Sequence, residues 1–101
     1  LQEMVEKAIL ARLSSGDVRV ETIASDLGMS SRTLARRLSE IEMPFSKVLG
    51  NLREALATRF IQNSDLSVTQ IAYLLGYNDS SAFSTAYRHW TGKTPRAARL
   101  R

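Results

Sequence analysis

The chain has 101 residues, 44% of them hydrophobic, 24% charged and 7% aromatic, which suits one compact domain or two small lobes with modest cores. With no cysteine and a single histidine, His89, it offers neither a disulfide framework nor the ligands of a catalytic zinc centre. Fourteen Lys and Arg against ten Asp and Glu give +4 and a pI near 10.0, a balance that favours polyanions. No apolar run approaches the roughly 20 residues that span a bilayer, and LQEMVEKA is too charged for a signal peptide. A cytoplasmic protein is expected, and the opening Leu1 reads as a fragment of a longer chain.

Two prolines, five glycines and no clean alternation of polar and apolar residues predict an all-α chain. Leu1, Val5, Ala8, Ile9 and Leu13 share one face of a first helix that should stop at Ser14-Ser15-Gly16-Asp17. Phe45, Val48, Leu49, Leu52, Leu56 and Phe60 form one stripe through residues 44 to 62, the longest predicted helix, with Pro44 in its first turn. Asp17, Asp26, Asp65 and Asp79 fall at turns or helix ends, where carboxylates cap backbone amides, so paired acid catalysis is not indicated.

An internal repeat carries most of the information. Val20, Ile23, Ala24, Leu27 and Gly28 recur as Val68, Ile71, Ala72, Leu75 and Gly76. After one extra residue, Leu34, Leu38 and Ile41 match Phe83, Tyr87 and Trp90, each triplet at i, i+4, i+7 on one helix face. Each copy reads as a helix, a glycine-marked turn and a second helix. Ser67 and Gln70 can form a capping box at the start of the second copy, whereas Arg19 at the matching place cannot cap. A simple glycine C-cap would explain one copy, but two copies with matched second helices favour a helix-turn-helix pair.

Rotation of about 100° per residue shows what lies opposite each core stripe. In the first copy the outward centre is Arg32 and Arg36, flanked by Ser31, Ala35 and Ser39, with Arg37 at the core edge. In the second it is Ser81, Thr85 and Arg88, with Ser80 and Ser84 beside the turn. Arginine can grip guanine O6 and N7, whereas serine and threonine position more than they specify. The first unit is therefore expected to read bases, and the second to anchor backbone through Ser81, Arg88, Lys93 and Arg96, while Ser39 and Arg37 reach phosphate beside the first helix. Tyr73, Tyr77, Phe83, Tyr87 and Trp90 are expected to be mostly core rather than base-stacking platforms. His89 is assigned no role.

The stretch Ile71-Ala72-Tyr73-Leu74-Leu75-Gly76-Tyr77, then Ser81-Ala82-Phe83-Ser84, then Tyr87-Arg88-His89-Trp90-Thr91-Gly92-Lys93-Thr94-Pro95 and a basic tail resembles the C-terminal DNA-binding domain of the AraC/XylS family of bacterial transcription regulators. The resemblance covers the chain from about Leu1 to Arg101. It implies seven helices in two helix-turn-helix subdomains, 1–43 and 63–101, joined by a linker helix over 44–62. Recognition helices would fall at about 31–41 and 80–91. The family's base-reading positions map onto Ser31, Arg32, Ala35 and Arg36, and onto Ser80, Ser81, Ser84 and Thr85. Family members often carry arginine where this chain has Thr85, an aromatic where it has Ala82, and tyrosine where it has Ala98. The resemblance further implies an activator that binds promoter DNA and recruits RNA polymerase, and carries an N-terminal effector or dimerisation domain elsewhere in the parent protein; no cofactor is expected. The fragment itself would be monomeric.

A 19-residue helix is about 28 Å long at about 1.5 Å per residue, against about 34 Å between successive major grooves, so one monomer is expected to enter adjacent grooves of a slightly bent duplex. Rival readings are a helical protein-interaction module, a nonspecific DNA binder, and an enzyme, for which no nucleophile, base and orienting group are in view.

Overall fold

The computed structural model describes residues 1–99, so the tail residue Arg101 lies outside the described residues. The described chain is all helical: α1 (Gln2–Arg12), a 3-10 turn (Leu13–Ser15), α2 (Val20–Asp26), α3 (Ser31–Glu40), α4 (Phe45–Asn63), α5 (Val68–Leu74), α6 (Ser80–Thr91) and α7 (Pro95–Arg99). It divides into two compact units, Leu1–Leu52 and Arg53–Arg101, and the boundary falls inside α4.

In the first unit α1 buries Val5 and Ile9, and Leu13 closes the same face from the 3-10 turn. The turn ends where sequence composition places it, at Gly16 with φ +81°. Val18, Ile23, Ala24, Leu34, Leu38 and Val48 complete this core. An Arg12–Asp26 ion pair ties the end of α1 to the end of α2: Nε of Arg12 donates to one carboxylate oxygen and Nη2 to the other at 2.9 Å. Asp17 accepts from Arg19 Nε at 3.0 Å and from the Thr22 hydroxyl at 2.9 Å. These hydrogen bonds hold both carboxyl groups below the ordinary carboxylate pKa, Asp26 through Arg12, and Asp17 through Arg19 and then Thr22. Asp17 and Asp26 thus bind side chains rather than capping amides as expected, whereas Asp79 does cap, accepting from Ala82 N at 2.7 Å.

The second unit buries Ala57, Ile61, Ile71, Ala72, Leu75, Phe83, Tyr87 and Pro95. Phe83 stands 5.8 Å, centroid to centroid, from both Tyr77 and Tyr87. Arg53 donates to the Leu75 carbonyl at 2.9 Å and lies 4.7 Å from the centre of the Tyr77 ring. Burial pushes the Tyr77 hydroxyl pKa up, and the Arg53 charge opposes that shift. Thr94 caps α7, its hydroxyl accepting from Ala97 N at 3.1 Å, and Pro95 takes the first helical position, where its missing N–H costs nothing.

Three further expectations for α4 and α5 need correction. Pro44 stands just before α4, where its carbonyl accepts from Lys47 N and Val48 N at 2.9 and 3.1 Å. Of the predicted α4 stripe only Val48 is buried, while Ala57 and Ile61, off that stripe, are buried. Each half of α4 is covered by its own unit, so no single stripe need run its length. Tyr73 is not core: it is 67% exposed on the side of α5 away from Ile71, Ala72 and Leu75.

Candidate nucleic-acid interface

The sequence repeat becomes a repeat of hydrogen bonds. At the end of α2, Gly28 N donates to the Ser25 carbonyl and Met29 N to the Ala24 carbonyl, both at 3.0 Å. At the end of α5, Gly76 N donates to Tyr73 and Tyr77 N to Ala72, again both at 3.0 Å. This pair of bonds is the Schellman closure, which requires a left-handed residue, and Gly28 and Gly76 supply it with φ of +74° and +87°. Ala24 and Ala72 are buried at matching places, small enough for the following helix to cross closely.

Each second helix is then started by a side chain. Ser30 accepts from Thr33 N at 3.1 Å to open α3, and Asp79 opens α6. The expected Ser67–Gln70 box closes the start of α5 reciprocally, at 3.0 and 2.8 Å, while Arg19 makes no side-chain cap for α2. Leu34 and Leu38 bury the inner face of α3, and Phe83 and Tyr87 that of α6, with Trp90 only partly covered. Ile41 departs from this pattern: it follows the last helical residue and is 46% exposed. The chain leaves the helix there because Glu42 N donates to Ser39 and Met43 N to Leu38, the same Schellman closure, with Glu42 at φ +57° in the place of a glycine.

On the outward face of α3, Arg32, Ala35, Arg36, Arg37 and Ser39 are exposed, and Ser31 is partly covered near the turn. Arg36 forms an ion pair with Glu40 at 3.9 Å. Among the described residues no carboxylate pairs with Arg32 or Arg37. On α6, Ser81, Thr85 and Arg88 are exposed, and Ser80 and Ser84 are partly covered. The Thr85 hydroxyl donates to the Ser81 carbonyl at 3.1 Å, which leaves its oxygen as an acceptor. Lys93 and Arg96 are exposed beyond the helix.

Arg99 behaves unlike Lys93 and Arg96. Its guanidinium donates to the carbonyls of Phe60, Ile61, Leu66 and Ser64, three of these bonds being 3.1, 3.2 and 3.4 Å long for Phe60, Ile61 and Ser64. It therefore closes the end of α4 instead of presenting a free cation. Arg53 is likewise spent on Leu75 and Tyr77. Sequence reasoning singled out neither role, because carbonyl acceptors leave no trace in residue type.

Two units that share one turn chemistry, each projecting a capped helix with a polar outer face, define a tandem helix-turn-helix domain. A family model described as a helix-turn-helix domain matches residues 9–101. The chain is 41% identical over 92 residues to the ornithine utilization regulator of Pseudomonas aeruginosa, covering 90% of this chain and 26% of that protein. A DNA-binding transcriptional dual regulator from Escherichia coli K-12 superposes with TM-score 0.84 at 28% identity, over 97% of this chain and 93% of that one. The DNA-binding domain of AdpA, a global transcriptional factor solved with a target DNA, gives 0.79 at 29% identity, over 97% and 88%. The chain belongs to the AraC-type helix-turn-helix family, a family of DNA-binding domains of transcriptional regulators and not of enzymes.

Proposed function

We infer that this chain is the sequence-specific, double-stranded DNA-binding part of a bacterial transcription regulator, with α3 and α6 each entering a major groove and the α4 region linking the two subdomains. The observation that carries the reading is the exposed arginine pair, Arg32 and Arg36, on the outward face of the helix that follows the Gly28 turn. Small neighbours, Ser31 and Ala35, leave room for close approach to base edges. Each arginine can present two parallel donors to guanine, worth about 1 to 3 kcal/mol of discrimination.

The second unit anchors. Ser80, Ser81, Ser84 and Thr85 contribute hydroxyl contacts to bases or phosphates, and Arg88, Lys93 and Arg96 neutralise phosphates, as Arg37 and Ser39 do beside α3. The AdpA domain's complex with a target DNA supports promoter DNA as the partner. Activation through RNA polymerase extends the reading from the family resemblance, as do action in the cytoplasm and a dimeric parent with a further domain.

Affinity titrations over a range of salt concentrations test the assignment. Arg36→Ala should cost about 1 to 3 kcal/mol on the preferred duplex and relax preference at one base position. Arg88→Ala should weaken all duplexes nearly equally and lower the salt slope by about one unit. Equal losses from both variants on every sequence would defeat the division of labour.

A further inference from the structure

Glu40 is out of place by ordinary helix energetics. It lies in the last turn of α3, where the helix dipole disfavours a carboxylate, and it follows its arginine by four residues, the weaker order for such a pair. It also continues the outward line of Arg32 and Arg36 at i+8 and i+4, on the face assigned above to a polyanion. Its carboxylate stands 3.9 Å from Arg36 Nη1, and both side chains are about two-thirds exposed, 66% for Arg36 and 64% for Glu40. The contact is therefore loose and fully competitive with a ligand.

We propose that Glu40 is a positioning residue for specificity, its charge biasing the Arg36 guanidinium along the helix so that phosphates capture it poorly and guanine captures it well. The proposal rests on the DNA-binding reading above. A phosphate must share the guanidinium charge with Glu40, which lies 3.9 Å from Nη1. It must also approach past the Glu40 charge. A guanine edge offers two neutral acceptors at the geometry of the guanidinium fork, and carries no charge for Glu40 to repel. Glu40 thus subtracts more from nonspecific than from specific binding. Arg32, with no carboxylate partner among the described residues, carries no such restraint.

The test is a double-mutant cycle of Glu40→Gln and Arg36→Ala in this chain, titrated at several salt concentrations. The probes are the duplex recovered by selection from random DNA and a scrambled duplex of equal length. Glu40→Gln should raise affinity for the scrambled duplex about two- to fivefold, the size of one exposed ion pair. It should also steepen the salt slope there by up to about one unit, and narrow the ratio between the two duplexes. In the Arg36→Ala background more than half of that change should vanish. Thermal melting of Glu40→Gln should show equal or greater stability. A lowered melting temperature with an unmoved salt slope would mark a merely structural contact and overturn the proposal. An unchanged ratio, or an effect that persists without Arg36, would overturn it while leaving the DNA-binding reading intact. Failure of the wild-type chain to prefer its selected duplex would overturn both.

Discussion

At single positions, the backbone torsions decide more than the space around them. Gly28 has φ +74° with nothing within 4 Å of where a Cβ would sit, so Gly28→Ala should lose about 1 to 2 kcal/mol through the torsion alone. Denaturant unfolding would measure it, and a loss near zero would show that the turn tolerates a relaxed torsion. Glu42 is the converse case, a non-glycine at φ +57°. Glu42→Gly should gain up to about 1 kcal/mol, the relieved strain being partly offset by the added freedom of the unfolded chain. The two glycine positions were legible in the sequence because a repeated glycine five residues after a core isoleucine has few other uses. Glu42 was not, since its residue type argues against the conformation that the α3 closure imposes.

Among elements, the helices were legible wherever one face packs against one partner. Ile23, Leu34 and Leu38, and Ile71, Phe83 and Tyr87, are buried as their spacing predicts. The spacing misleads for α4, whose halves belong to different units, and at Ile41, where local backbone hydrogen bonds of the C-terminal turn stop the helix one residue before the apolar pattern ends. Arg99 shows a second limit, because its role depends on four carbonyls that no pattern reveals. Arg99→Ala should destabilise the second unit by about 1 to 3 kcal/mol, and leave the salt slope of DNA binding nearly unchanged. Arg96→Ala should do the reverse, and calorimetry beside salt titration separates them. In the first unit, Asp17 and Asp26 titrate below the ordinary 3.8. Carboxylates depressed on folding stabilise fully above the unfolded pKa and lose that contribution as pH falls through the folded values. Melting temperature should therefore hold from neutrality to about pH 5 and fall below about pH 4. The double variant Asp17→Asn, Asp26→Asn should start lower and fall less over the same range.

For the whole molecule, the candidate interface was legible as chemistry rather than as geometry. Outward arginines on one second helix and outward hydroxyls on the other follow from helical rotation alone, and Arg32, Arg36, Ser81 and Thr85 are exposed as that rotation requires. The Arg36–Glu40 contact and the Thr85–Ser81 hydrogen bond, which change what those side chains offer, needed coordinates. The central claim is that one chain reads duplex DNA in two unequal parts. Selection of bound duplexes from a random library at about 150 mM salt, where nonspecific attraction is already much reduced, tests it most directly. Two submotifs about one helical turn apart are expected, with the sharper one guanine-containing and lost in Arg36→Ala. Recovery of no motif by a folded chain would contradict the claim and turn attention to a protein partner for the same arginines.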